Sequence, residues 1–397
     1  MHANAAARHC RRKGIPVPQP LVEPAEALSG AQLTRYSRQL RLPGFGEDAQ
    51  RRLANARVLV VGAGGLGSAT VPYLASAGVG TIGIVDTDVV ELSNLHRQVA
   101  HGVGDLGRSK TASLAATVAA NNPETTVIRH ELWLDSVNVL ELLADYDLVL
   151  DGSDNFATRY LVNDAAALAH KPLVWGAILQ YSGQAGVAWA DHGPTYRDLF
   201  PTPPDPASVV NCADGGVLPG VCAAIGAIMG SEAVKLITGV GRPLIGRVTV
   251  YDALDGTFRE VEYERSPEVQ PITGLIDYNA FCGTAALEAE EMVEDEIGPV
   301  ELAERLRSGR VQLVDVREPW EAAISSIDGS QLIPLGMLGQ SFERLKRDEP
   351  LVLYCHHGSR SARALDLLRR SGFTKATHLT GGIDAFATQV DPSLARY

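Results

Sequence analysis

The stretch "RVLVVGAGGLGSA", residues 57–69, decides how the rest of the chain is read. Its apolar run "VLVV" does not alternate with polar residues, as expected of a strand buried on both faces of a parallel sheet. A glycine turn follows, then the small-residue, helix-like "SATVPYLASAG" and a second apolar strand, "TIGIVD". Strand, glycine turn, helix and strand open a doubly wound, Rossmann-like α/β nucleotide fold. Gly62, Gly64 and Gly67 fit G-x-G-x-x-G, and Asp86 ends the second strand about 20 residues later. Glycines at this turn let backbone N–H groups approach a phosphate at a helix N-terminus, while the acid can bond ribose hydroxyls. On these residues alone, NAD and FAD fit equally well.

The neighbouring residues discriminate by clustering charge. After Asp86, the segment "TDVVELSNLHRQ" holds Asp88, Asn94, Arg97 and Gln98, and Lys110 opens a helix in "GRSKTA". "DGSDNFATR" then sets Asp154, Asn155 and Arg159 beyond the C-terminal end of another strand, where this fold lines its ligand crevice. Two or three cations with a lone acid suit a triphosphate carrying magnesium better than a dinucleotide. A plainer alternative makes Arg97 and Lys110 surface cations and Asp154 a helix cap.

At 397 residues the chain is too long for one ordinary core. A net charge of -12 argues against a nucleic-acid binder, which needs a basic surface. The N-terminal stretch lacks the apolar centre of a signal peptide, and no run approaches the roughly 20 apolar residues that span a bilayer. A cytoplasmic protein without membrane contact is the expectation. Five scattered cysteines with no C-x-x-C pair support neither a disulfide framework nor a zinc site, and leave reactive thiols as the point of interest. Composition divides the chain into a disordered tail (1–28), a nucleotide-binding domain (29–265), a Pro-rich then acidic linker (266–297) and a compact, smaller α/β unit (298–397). A linker of that length reaches roughly 30 Å.

"RYSRQLRLPGFG", "GAGGLGS", "DTDVVELSNLHRQ", "GRSK" and "DGSDNFATR" together resemble the MoeB/ThiF family of adenylyltransferases, relatives of the ubiquitin-activating enzymes. The resemblance spans residues 31–265. It implies a homodimer that uses ATP to adenylylate the C-terminal glycine of a small ubiquitin-like sulfur carrier ending in Gly-Gly. It also implies that Gly62, Gly64, Gly65, Gly67, Asp86, Asp88, Ser93, Asn94, Leu95, His96, Arg97, Lys110, Asp154 and Asn155 hold ATP and Mg²⁺. Asp154 would orient the metal, and Arg38 would reach the partner's phosphates. The residue types suit the chemistry, since a carboxylate attacking an anionic phosphorus needs cations to offset repulsion and stabilise departing pyrophosphate. Most relatives carry structural zinc on two C-x-x-C pairs. Here those positions read Thr195, Asp198, Val269 and Ile272, so thiolate ligation is impossible and no zinc is expected. Cys212, in "VVNCADGGVLPG", matches a cysteine the family uses in thioester or disulfide chemistry. Cys222 reads as core, and Cys10 and Cys282 have no constellation around them.

Near the other end, "VLYCHHGSRSARALDLLRR", residues 352–370, puts Cys355 between a strand and a helix. Loop amides and the helix dipole can cradle an anionic sulfur, favouring thiolate or persulfide. With "LVDVREPWE" before it and "HLTGGIDAF" after it, residues 298–397 resemble a rhodanese domain, in which the cysteine accepts sulfane sulfur. The spacing to Arg360 is C-x4-R, shorter than the C-x5-R of cysteine phosphatases. "AISSIDGSQLIPL" departs from the rhodanese pattern, which often has a His and an Ala around the glycine. The combined expectation is adenylylation, then attack by a Cys355 persulfide, with Cys212 resolving the product to a thiocarboxylate and a persulfide donor such as a cysteine desulfurase supplying sulfur. The alternative is an activating enzyme for a ubiquitin-like modifier without sulfur transfer. An NAD-dependent oxidoreductase is more distant.

Overall fold

The computed structural model describes residues 19–204, 215–283, 296–309 and 311–396, and two compact units divide them. In the first, eight strands form one sheet: β1 (Arg57–Val61), β2 (Thr81–Val85), β3 (Thr126–His130), β4 (Leu148–Asp151), β5 (Leu173–Leu179), β6 (Ser182–Ala188), β7 (Arg247–Asp252) and β8 (Thr257–Glu262). Their order is β3-β2-β1-β4-β5-β6-β7-β8. Strands β1 to β5 pair in parallel, and β5 to β8 pair antiparallel. β1 has β2 on one side and β4 on the other, so the strand order reverses at the glycine turn, the place where such sheets bind ligands.

Four residues of β1 are buried, as its unbroken apolar run requires. Helix Pro219–Thr238 is long and apolar enough to cross a membrane, contrary to the reading that no such run exists. It packs inside the first unit instead, where Gly226 accepts a hydrogen bond from Thr70 on helix Gly65–Ala77 at 3.1 Å and Glu232 is buried. A buried carboxylate and an apolar face covered by protein are the marks of a core helix.

Two boundaries shift. The tail ends earlier than residue 28: Val22 is buried, and the Leu21 N–H donates to the Leu236 carbonyl at 3.0 Å. The linker begins later than residue 266. Tyr278 and Cys282 join the first unit's core, and the Tyr278 hydroxyl donates to buried Asp164 at 2.7 Å. Cys282 therefore does have a constellation around it, and burial pushes its thiol pKa up.

The second unit is a sheet of five parallel strands, β9 (Glu296–Ile297), β10 (Gln312–Asp315), β11 (Gln331–Leu332), β12 (Leu351–Tyr354) and β13 (Ala376–Leu379), in the order β11-β10-β12-β13-β9. The central strand, β12, is wholly buried and delivers Cys355 at its C-terminal end. The departure at residues 323–335 does not open this core. Ile327 and Ile333 are buried, and the Tyr354 hydroxyl ties the segment by accepting from the Ile327 N–H at 3.2 Å and donating to Ser330 at 3.0 Å.

Candidate active site

Close packing fixes the glycine turn. A methyl group at Gly67 would stand 1.9 Å from the Gly62 carbonyl oxygen, so only glycine lets the helix start this near the strand. The turn lies against the β4 loop, where the Gly152 N–H donates to the Val61 carbonyl at 2.9 Å. Asp86 faces the same turn. Its carboxylate accepts the Ala63 N–H at 2.7 Å and the Asp88 N–H at 2.8 Å. Burial raises its pKa, and the Lys110 ammonium and these amides pull it back.

Lys110 is buried at the start of helix Lys110–Asn121 and donates to Asp88 at 2.7 Å. Arg97 is half-buried and donates to the Ser93 carbonyl at 2.9 Å, with His96 Nε2 2.8 Å from the same guanidinium nitrogen. Asn94 is buried and Leu95 half-buried, while Ser93 and His96 are exposed. Burial and then Arg97 lower the His96 pKa. Arg38 is exposed on helix Ser37–Leu40.

In the β4 loop, Asn155 caps helix Phe156–Leu168 by accepting the Thr158 N–H at 2.8 Å. The alternative of a capping Asp154 therefore does not hold; the Asp154 carboxylate is exposed. Arg159, read as a crevice residue, is buried under the loop. It lies 3.5 Å from the fully buried Asp151 and donates to the Ser153 and Gly176 carbonyls at 2.7 and 3.0 Å.

The sequence reading missed His101. Its Nε2 is 3.1 Å from the Ala63 carbonyl, which can only accept, so Nε2 carries the proton and Nδ1 accepts from Ser113 at 2.8 Å. Burial lowers its pKa and keeps this brace behind the turn neutral. No spacing signal announces it; only the fold brings residues 63 and 101 together.

The positions where the resemblance would put zinc thiolates hold a different tie. Asp198 accepts from the Thr195 N–H at 2.6 Å, the Thr195 hydroxyl at 3.0 Å and the Ser266 N–H at 2.9 Å, joining the two segments through one carboxylate. Among the described residues no group of three or more His, Cys, Asp or Glu could hold a metal. Magnesium does not need such a group, because it commonly binds through one carboxylate, water and substrate phosphates. Asp154, exposed beside the turn, fits that role.

In the second unit Cys355 is 1% exposed. Its sulfur accepts the Gly358 N–H at 3.1 Å and lies 3.6 Å from the Ser361 hydroxyl. Burial, followed by the neighbouring His357, drops His356 to a pKa of about 4. The helix Gly382–Gln389 underpins the loop: the Ile383 and Asp384 N–H groups donate to the carbonyls of Cys355 and His356 at 2.9 and 3.1 Å. A methyl group at Gly382 would come within 2.3 Å of the His356 oxygen. Arg360 does not point freely at the sulfur. Its two terminal nitrogens donate to both oxygens of the buried Glu321, at 2.6 and 2.7 Å. The position of Cys212 lies outside the described residues.

A glycine turn at the switch point of one sheet, and a buried thiol at the end of the central strand of another, mark a nucleotide-using enzyme joined to a thiol-chemistry module. The chain belongs to the ThiF family, whose model matches residues 36–271, and carries a rhodanese-like domain over residues 298–389. It is 53% identical to the "Probable adenylyltransferase/sulfurtransferase MoeZ" of Mycobacterium tuberculosis, covering 95% of this chain and 98% of that one. It is 40% identical to the "Adenylyltransferase and sulfurtransferase MOCS3" of Drosophila virilis, over 93% of this chain and 86% of that one. Among solved structures, E. coli MccB with MccA-N7isoASN aligns at a TM-score of 0.54 and 23% identity, covering 61% of this chain and 75% of that one, a likeness of fold.

Proposed function

We propose that this enzyme adenylylates the C-terminal glycine of a small ubiquitin-like sulfur carrier and then converts it to a thiocarboxylate with sulfur held on Cys355. The observation that carries the reading is the presence of both modules on one chain, matched end to end by relatives named for both activities. The same pairing disfavours an activating enzyme that transfers no sulfur.

The amides at the Gly65 end of helix Gly65–Ala77 would hold the ATP phosphates. Lys110 and Arg97 offset the charge as the carrier carboxylate attacks the α-phosphorus and pyrophosphate leaves. Asp154 would hold Mg²⁺, which would supply positive charge against the phosphates. Asp86 and His101 keep the turn in shape. The partner subunit of a cytoplasmic homodimer contributes a further cation from Arg38.

Sulfur chemistry follows on the adenylate. The outer sulfur of a Cys355 persulfide stands roughly 2 Å beyond the thiol sulfur. It attacks the acyl carbon and AMP departs with the bonding pair. Cys212 thiolate then attacks the Cys355 sulfur, releasing the thiocarboxylate and leaving a disulfide that a cellular thiol reduces. A nucleophile on the same chain meets the adenylate at high effective concentration, ahead of water.

The test is incubation with ATP, a persulfide donor and a Gly-Gly-ended carrier, followed by mass spectrometry of the carrier. Replacement of one oxygen by sulfur is expected. Cys355→Ala should abolish it while carrier-dependent pyrophosphate exchange continues. Equal sulfur incorporation by that variant would remove the second unit from the reaction.

A further inference from the structure

Arg360 is where the sulfur loop departs most from what its sequence promises. A guanidinium five residues after the cysteine, at the start of helix Ser359–Arg370, is positioned to bind an oxyanion beside the sulfur. In the folded unit it is already engaged. Glu321, 39 residues earlier, takes both terminal nitrogens at 2.6 and 2.7 Å. Its side chain is 4% exposed and that of Arg360 16%. Glu321 is itself fixed, since one carboxylate oxygen also accepts the Glu318 N–H at 2.9 Å and sets the first turn of helix Pro319–Ile324.

We propose that Glu321 determines which sulfur donors Cys355 accepts, by holding Arg360 in a bidentate ion pair so that the loop offers no guanidinium to a dianionic oxyanion. The inference rests on the sulfur-transfer reading above and deepens it. An incoming dianion would have to pull Arg360 away and strand a buried carboxylate, an uncompensated charge the interior penalises heavily. His356 does not substitute for the missing charge, because burial keeps it neutral at pH 7. The donors seen at the sulfur are the Gly358 amide and, farther off, the Ser361 hydroxyl, both uncharged.

The consequence differs between two donor classes. When the Cys355 thiolate attacks the outer sulfur of thiosulfate, a new S–S bond forms, the old one breaks and sulfite leaves with the bonding pair. Two negative charges arrive with that donor. When it attacks a persulfide R–S–SH, the SH group moves to Cys355 and R–S⁻ leaves. At its reacting sulfurs that donor brings no more than one charge and has less need of a cation there. Glu321 acts through Arg360 and is a positioning residue.

The test uses the full chain and follows sulfur loading of Cys355 by mass spectrometry at a series of concentrations of thiosulfate or of glutathione persulfide. Glu321→Gln keeps the acceptor for the Glu318 amide but releases Arg360. The thiosulfate-to-persulfide ratio of loading efficiencies should rise at least tenfold, through a lower half-saturating thiosulfate concentration. Adding Arg360→Gln should cancel that rise. Glu321→Asp, too short to keep both contacts, should give an intermediate ratio, and it serves as the probe if Glu321→Gln does not fold. A ratio that stays flat, parallel losses with both donors, or a rise that survives the double substitution would overturn the proposal. Wild-type protein that takes sulfur from neither donor removes the sulfur-transfer reading and this inference with it. Wild-type loading with an unmoved ratio removes this inference alone.

Discussion

At the scale of single residues, a buried ion pair lies under the nucleotide loop. Asp151 is fully buried and its countercharge is Arg159, which also donates to one carbonyl in the β4 loop and one on β5. Removing one partner of such a pair strands the other. Arg159→Ala is expected to cost about 3 to 5 kcal/mol of stability, read from the denaturant midpoint at constant slope. His356 gives a pH dependence of known sign. Its folded pKa of about 4 lies below the ordinary 6.5, so the unfolded chain binds the proton more readily. Stability of the second unit should be full above pH 6.5 and fall as the pH drops toward 4. His356→Gln should flatten that slope in melts across the range. The glycines were legible in sequence because a backbone conformation and a close approach leave no other residue. Arg159 and Arg360 were legible as cations but not in their engagements, because the partner acids are set by the fold. In the case of Arg360, the partner lies 39 positions earlier in the chain.

At the scale of elements, strands were read correctly where burial on both faces writes an unbroken apolar run, as in β1 and β4. The stretch 266–283 was misread because its composition is that of a solvated connector. What holds it is tertiary: the Tyr278 hydroxyl on Asp164, and Arg197 over the ring of Phe281 at 4.7 Å. The Asp198 tie belongs here too. It closes the capping box of helix Tyr196–Leu199 and pins the chain at Ser266. Asp198→Ala should lower stability by about 1 to 2 kcal/mol, the usual size of a lost cap with one further hydrogen bond. A metal chelator should leave the wild-type melting temperature where it was. A drop on chelation would show that a metal, not this carboxylate, makes the join.

At the scale of the whole molecule, each unit has its own sheet and its own buried clusters, the mark of domains with separate cores. Calorimetry should therefore resolve two unfolding transitions. Leu353→Ala, in the centre of the buried β12, should remove about 2 to 5 kcal/mol from one of them and leave the other in place. A single transition that shifts as a unit would contradict this. The two-unit plan was visible in the sequence as a change of pattern, with the small unit beginning near residue 298; β9 moves that start to Glu296.

The Asp198 join has a bearing on how such a protein lives with its own chemistry. A cluster of thiolates invites sulfane sulfur, oxidants and competing metals, all of which gather around an enzyme that hands out activated sulfur. A carboxylate held by two amides and a hydroxyl has no sulfur for sulfane sulfur or an oxidant to attack. The join between Thr195 and Ser266 thus depends neither on a thiol's redox state nor on the supply of zinc.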